Sequence, residues 1–437
     1  MTEHSREEAV DQLRGWLETG RISRRSFLKA ASLFVGASAA SSILAACTPT
    51  PEEVTPDAED DTGGGGGDER IRLGLMTTLS GIGSIHAPPT INAATLAVEE
   101  INNAGGLLGR QIDLLIEDNH TDVDIAVQKG LKLVQEKNVA AFVDFGFSNS
   151  RFAVAEEVAL AHKTVMLSPI FYEGGICNRY FFNISALPNQ GIDPFVPWLM
   201  EERGAETFYG IGSAYAWGIG SIDAVEAAVT ASNAEFVGRE EAPLGTTDWS
   251  AIIQRLDSAA PDVCFVFVAG NDLVTFLKQF FDFGLHDKVQ LAFTYFQEEV
   301  TPTIAEEYRA GHLSSNSWFL SYESPETEEF LNGYYRVAGD GTLVTNFGEG
   351  TYDAVHLWAK AVEAAGTLET EAVVDALEAL SFAAPQGEIV IDPATHHAAV
   401  RCLIAESTQD PNVFNILADL GVIPPAPPEA CDANSNA

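Results

Sequence analysis

Positive charge is scarce in this 437-residue chain: 24 Lys and Arg stand against 63 Asp and Glu, a formal net charge of −39. A surface of that sign repels phosphates and anionic headgroups, which argues against nucleic acid as a partner. It suits instead a protein adapted to high salt, where screening removes most of the self-repulsion. Nucleotide and metal signatures are also missing. There is no Gly-Lys-Ser/Thr phosphate loop and no His-Glu-x-x-His, and Gly81-Ile82-Gly83-Ser84-Ile85-His86 lacks the third glycine of a dinucleotide fingerprint. His396 and His397 are neighbours on an expected strand, face opposite sides and cannot clamp one metal. The acid pairs Glu99-Glu100 and Glu156-Glu157 fall in expected helices, where adjacent side chains diverge, and read as solvated faces. No catalytic residue, metal or cofactor is expected. Beyond residue 47 no apolar run approaches 18 residues, so the body should not span a membrane. With 46% hydrophobic and 20% charged residues, the chain can bury sizeable cores, and its length suits two or three domains.

The N-terminus reads as an address. Ser23-Arg24-Arg25-Ser26-Phe27-Leu28-Lys29 has the form of a twin-arginine export signal, built on Arg24 and Arg25, and residues 30–46 are apolar and uncharged. Leu44-Ala45-Ala46-Cys47 resembles the lipobox of bacterial lipoproteins, which implies removal of residues 1–46 and a lipid on Cys47. Removal takes away 6 basic and 5 acidic side chains and leaves a net charge of −40. Residues 47–69, with three prolines, clustered acids and the run 63–67 of glycine, form a flexible tether. The expected location is extracytoplasmic, anchored to the membrane through lipid. Four cysteines remain there, Cys177, Cys264, Cys402 and Cys431, with three possible pairings; Cys264, inside Val263-Cys264-Phe265-Val266, reads as a core thiol.

From residue 71 short apolar runs alternate with helical periods. Strands are expected at 71–76, 112–116, 139–143 and 164–167, with helices at 90–103, 123–135 and 150–161 between them. This is a parallel sheet with helical crossovers. After Pro188 the rhythm restarts: strands at 207–211, 235–237, 263–268 and 289–293, helices at 219–230, 249–258 and 272–283. The fold class is therefore α/β, two doubly wound parallel-sheet lobes. Three helical segments at 325–337, 350–365 and 369–380 lack strands between them and should return to the first lobe, while strands at 388–391 and 400–406 suit the second. Lobe 1 is expected from 70–188 with 320–382, lobe 2 from 189–319 with 383–412, and 413–437 as a tail. Repeated crossing between lobes makes a hinge.

The Leu79-Ser80-Gly81 loop and the turn Asn103-Ala104-Gly105-Gly106-Leu107-Leu108-Gly109-Arg110 are similar to those of type I periplasmic solute-binding proteins of ABC transporters. Tyr172-Glu173-Gly174, Ala186-Leu187-Pro188-Asn189-Gln190, Phe208-Tyr209-Gly210-Ile211-Gly212-Ser213, Pro385-Gln386-Gly387-Glu388, Ile391-Asp392 and His396-His397 resemble the branch that binds urea and short amides. The resemblance covers about 71–404 and implies a cleft between lobes that closes on one small solute. Ligands of open parallel sheets sit beyond the carboxyl ends of strands, which agrees independently. The loop 144–150 is such an end. Ser148 or Ser150 can cap the helix there, and the family's motif places a ligand-contacting serine at Ser148. By the same resemblance Ser168 and the backbone of Ile170 contact the solute, and Tyr215 and Trp217 close over it. Where relatives of the amide branch tend to carry aromatic rings, Gly146 and Ser168 leave more room here. Asn271, Asp272, Tyr295 and Glu298 end the next two strands of the second lobe. An amino acid would need Asp272 or Glu298 beside its ammonium group, whereas a neutral amide would need only Asn271.

The implied function is capture of a small polar solute, urea or a short amide first, for the permease of an ABC importer. The alternatives are a branched-chain or related amino acid, and a ligand-binding subunit of a sensory system. An amidohydrolase ranks last. The excess of acid carries a prediction of its own: the melting temperature of the mature protein should rise from dilute buffer to molar salt, and a melt independent of salt would contradict the screening argument.

Overall fold

The computed structural model describes residues 70–378, 380–427 and 430–436. Arg24, Arg25, Cys47, the leader 1–46 and the tether 47–69 lie outside the described residues. No helix among the described residues is long and apolar enough to cross a membrane.

The first sheet contains β1 (Ile71–Thr77), β2 (Ile112–Asp118), β3 (Ala141–Asp144), β4 (Val165–Ser168) and β5 (Phe181–Asn183), all parallel, in the order β2-β1-β3-β4-β5. β1, β3, β4 and β5 are almost entirely buried, because helices cover both faces of a parallel sheet and every position must be apolar or paired. Between the strands run α1 (Ala87–Asn103), α2 (Val123–Leu131) and α3 (Ser148–Val154), the last two continuing as wider π turns to Glu136 and Leu160. Asp122 caps α2 by accepting from the Ile125 N–H at 3.0 Å.

The second lobe repeats the plan. β6 (Thr207–Ser213), β7 (Glu235–Ala242), β8 (Val263–Phe267), β9 (Gln290–Phe293) and β10 (Leu313–Asn316) are parallel in the order β7-β6-β8-β9-β10. They alternate with α4 (Phe195–Arg203), α5 (Ala216–Ala231), α6 (Ser250–Ala259) and α7 (Asn271–Asp282). The α/β class with two doubly wound lobes stands. Strands β5 and β10, of three and four residues, had no separate signal in the sequence.

α8 (Pro325–Ala338), α9 (Asn346–Ala365) and α10 (Thr370–Leu377) follow, and Phe330, Tyr334, Trp358 and Leu377 from them are buried in the first core. The remaining strands are antiparallel: β11 (Ser381–Ala384), β12 (Gly387–Ile391), β13 (Ala398–Ser407) and β14 (Phe414–Ile423) extend the second sheet to nine strands. Two boundaries are corrected here. Residues 383–412 do not belong wholly to lobe 2, since Ala384, Ile389, Ile391, Ala398 and Val400 pack into the first core and only Leu403, Ile404 and Ala405 into the second. Nor is 413–437 a tail: β14 pairs along β13, and Cys431 is bonded to Cys177. Cys264 and Cys402 are unpaired and buried.

Buried core residues mark three passages of the chain between the cores, at 187–192, at 318–319 and within β13 between Val400 and Leu403. The pairing of β13 with β14 shifts register at that last crossing, as a bulge does where a strand bends. Gln190 laces the crossings together. Its amide nitrogen donates to the Ala398 carbonyl at 2.9 Å and the Ile423 carbonyl at 2.8 Å, and its oxygen accepts from the Leu187 N–H at 2.8 Å. A second strap follows β14: Asn189 bonds the Pro424 carbonyl and the Ala426 N–H, and the chain then returns to lobe 1 through the Cys177–Cys431 bridge.

One buried pair in lobe 1 carries a pH dependence. Glu349 and Asp353, one turn apart on α9, are hydrogen-bonded to each other and to Gln386, which offers its backbone N–H at 3.1 Å to Glu349 and its amide at 3.0 Å to Asp353. Burial raises the pKa of both, and the charge of Asp353 raises Glu349 further, so the pair holds on to a proton. Groups with raised values contribute stability that is full below the ordinary carboxylate range and is lost as pH rises through the folded values. Glu349→Gln keeps a donor toward Asp353 without the titration. Its melting temperature relative to wild type should therefore be higher at about pH 8 than at about pH 5, and an equal difference at both would refute the shared proton.

Candidate functional site

Both sheets turn the carboxyl ends of their strands toward one crevice. In each, strand order reverses beside the first strand of the lobe, between β1 and β3 and between β6 and β8, and loops there diverge to leave room for a ligand. From lobe 1 the crevice is lined by His86, Phe147, Ser148, Arg151, Ile170, Phe171 and Phe347, and from lobe 2 by Tyr215, Trp217, Ala269, Gly270 and Tyr295.

Aromatic rings meet across the gap. Phe147 stacks on Tyr215 at 6.1 Å, and Phe171 lies 5.7 Å from Trp217 and 6.1 Å from Tyr295; within lobe 2, Trp217 stands edge-on to Tyr295 at 4.9 Å. The jaws also touch at Gly270, whose φ is 57°: a Cβ there would lie 2.8 Å from Cγ1 of Ile82 in the opposite lobe. Gly220 of α5 is as close to the stem of Glu173, 2.7 Å for an added Cβ. His86, on the loop after β1, places Nδ1 3.2 Å from the buried Glu299 carboxylate.

The polar feature of the crevice is Arg151, which is 1% exposed. Its Nη2 donates to the Gly146 carbonyl at 2.8 Å and its guanidinium lies over the Tyr172 ring at 5.0 Å. Nε and Nη1 have no hydrogen-bond partner among the described residues. Burial lowers the pKa of Arg151, and the charges of Glu173 and Asp144 oppose that. Asp144, at the end of β3, is equally buried, and neither of its oxygens has a hydrogen-bond partner among the described residues. Burial pushes its pKa up to about 7 against the pull of Arg151. Glu173 is raised by burial too; it accepts from Ser148 Oγ at 2.7 Å, and its Oε1 is unpartnered among the described residues. Arg151 thus lines a crevice walled by aromatic rings, with Asp144 and Glu173 near enough for their charges to act on it.

Five of the residues singled out in the sequence line this crevice: Ser148, Ile170, Tyr215, Trp217 and Tyr295. Ser148 is the first residue of α3 and spends its hydroxyl on Glu173, while Ser150 bonds the Phe147 carbonyl, so neither side chain caps the helix. Tyr295 donates its hydroxyl to the Val268 carbonyl. The others stand outside the lining. Ser168 is fully buried at the end of β4, in register with Asn183 of β5, with its hydroxyl unpartnered among the described residues. Asn271 is exposed at the start of α7. Asp272 accepts from the Gly245 N–H at 2.7 Å and ties down a loop. Glu298 is fully buried, accepts from the Leu320 N–H at 2.7 Å beside the second crossing, and has its pKa raised to about 8 by burial. Sequence reasoning missed His86, Phe147, Arg151, Phe171, Glu173 and Phe347. Arg151 did leave a signal: it shares a helical face with Ala155 and Val158, so its spacing puts a charge on the buried side.

This chain belongs to the periplasmic binding protein family, whose model matches residues 70–410. Leu/Ile/Val-binding protein homolog 6 of Brucella melitensis is 28% identical over 210 residues, 47% of this chain and 54% of that protein, so the match spans about half the length of such curated relatives. A solute binding protein of an ABC transporter from Rhodopseudomonas palustris BisB5, solved with 3,4-dihydroxybenzoic acid, superposes with a TM-score of 0.73 at 20% identity, covering 81% of this chain and 98% of that one. LivJ of Streptococcus pneumoniae, solved with isoleucine, gives a TM-score of 0.73 at 21% identity, covering 82% and 100%. These likenesses establish the two-lobed fold.

The packing beneath Arg151 sets a strict condition at Gly146, where an added Cβ would lie 2.8 Å from Asp144 Oδ2 and 3.2 Å from Ser150 Oγ. Gly146→Ala should cost about 1–3 kcal/mol of stability, measured by denaturant unfolding. A variant as stable as wild type would show that the Asp144 carboxylate is free to move.

Proposed function

We propose that the protein captures a small amino acid with an apolar side chain between its two lobes and delivers it to the permease of an ABC importer. The observation that carries this reading is the buried guanidinium of Arg151, which offers Nε and Nη1 at the crevice wall with Glu173 and Asp144 close by. A zwitterion answers that arrangement. Its carboxylate takes the free guanidinium donors, its ammonium group takes the acids, and its apolar body lies against the rings. A hydroxybenzoate, as held by the R. palustris protein, would satisfy the cation and leave the acids uncompensated. Urea and short amides, favoured by the sequence resemblance, carry no charge for either side and rank below. The isoleucine of the LivJ complex and the name of the Brucella relative point the same way.

Ligand contacts with both lobes supply the differential affinity that favours closed jaws. In this reading, residues 1–46 direct export, Cys47 carries the lipid and 47–69 tether the lobes to the outer face of the membrane. The permease then recognises the closed pair of lobes.

Thermal shift and titration calorimetry with leucine, isoleucine, valine, 3,4-dihydroxybenzoate, urea and acetamide test the reading, since a bound ligand stabilises the native state. The aliphatic amino acids should bind. Arg151→Ala should weaken them by about tenfold or more. Glu173→Gln should weaken amino acids while sparing dihydroxybenzoate. Stabilisation by urea or acetamide with none by leucine would overturn the assignment.

A further inference from the structure

Behind the crevice lies a second cavity, similar in size to the crevice itself. It sits in the hinge, with walls drawn from all three crossings: Leu187 and Ile192 from the first, Asn316 from just before the second, and Cys402 from within β13. The two cavities have just two lining residues in common, Phe171 and Trp217. Phe171 comes from lobe 1 and Trp217 from the first turn of α5 in lobe 2, and their rings meet at 5.7 Å with an interplanar angle of 42°. The boundary is therefore formed by two rings, one from each jaw, and it forms where the jaws close.

The hinge chamber has a chemistry of its own. Leu187 and Ile192 make its walls apolar. Asn316 is buried and its Nδ2 has no hydrogen-bond partner among the described residues, so one donor awaits an acceptor. The charge at its edge, Arg401, is already engaged by Asp419 and the Gln386 carbonyl, and offers little to an anion. We propose that Phe171 and Trp217 form the wall that sets how long a solute side chain the crevice accepts, and that the chamber behind it fits an apolar chain ending in a carbonyl. The proposal rests on the crevice being the solute site. Short aliphatic side chains end against the rings; a longer one reaches the chamber once a ring is removed.

Nε-acetyl-L-lysine is the probe, a methylene stem ending in an amide carbonyl, with leucine as reference. Calorimetry on wild type, Trp217→Ala, Phe171→Ala and Trp217→Ala/Asn316→Leu reads the ratio of the two affinities. Wild type should prefer leucine. Both single variants should shift the ratio toward the acetyl-lysine by about tenfold or more, and Asn316→Leu should cancel the shift. Equal losses for both ligands, with the ratio unchanged, would overturn the wall. A second readout needs no solute: alkylation of Cys402 by N-ethylmaleimide, followed by site-resolved mass spectrometry. Cys402 is 1% exposed and lines the chamber. It should react about tenfold faster in either single variant, while Cys264, in the second core, stays protected as the mark of a folded protein. An unchanged Cys402 rate in both folded variants overturns the wall. Failure of leucine to bind wild type, with Cys402 labelling as expected, locates the error in the solute and not in the partition.

Discussion

A guanidinium buried beneath aromatic rings constrains everything around it. Taking such a charge out of water costs several kcal/mol unless partners compensate, and Arg151 has one carbonyl, one ring face and two nearby acids to do so. Each partner imposes a condition elsewhere. The carbonyl belongs to Gly146, which must lack a side chain because Asp144 occupies the space. Glu173 is held by Ser148, and its stem is packed against Gly220 of the opposite lobe. The first turn of α3 and the end of β3 are thereby fixed together, and the crevice inherits a polar floor under apolar walls.

The two lobes are built alike because the same local pattern occurs twice, and parallel strands with helical crossovers leave their carboxyl ends as the place where loops diverge. Facing those ends toward each other puts both switch points on one crevice. The crossings gather on the far side, where Gln190 bonds the neighbourhoods of two of them and Glu298 anchors Leu320 beside another. Those bonds tie the crossing segments to one another as well as to the two cores they join.

Much of this was legible in the chain. Fully buried parallel strands read as short unbroken apolar runs, and the helices between them keep a 3.6-residue period, so class and order follow from pattern alone. What pattern does not carry is distance. Residues 384–400 look like strands of the second sheet, and they are, yet their side chains enter the first core because β13 spans both. β14 looks like an end segment until it finds β13. In the crevice, residues on loops after strands, such as Tyr215 and Trp217, can be located from strand ends. Phe347 arrives from α9, far along the chain, and has no local mark. Asp272 and Glu298 are acids of the right type near strand ends, but one oxygen of each is committed, to Gly245 and to Leu320, which spacing cannot reveal.

The bridge from Cys177 to Cys431 closes a loop of 254 residues that contains every parallel strand of the second lobe. That lobe is thus threaded on a covalent ring whose clasp lies on the first. A protease that nicks any exposed turn within the ring opens it without releasing a fragment, and both pieces stay joined at the clasp. For a protein working outside the cell's own quality control, such a ring converts a severed chain into one that can still hold its shape.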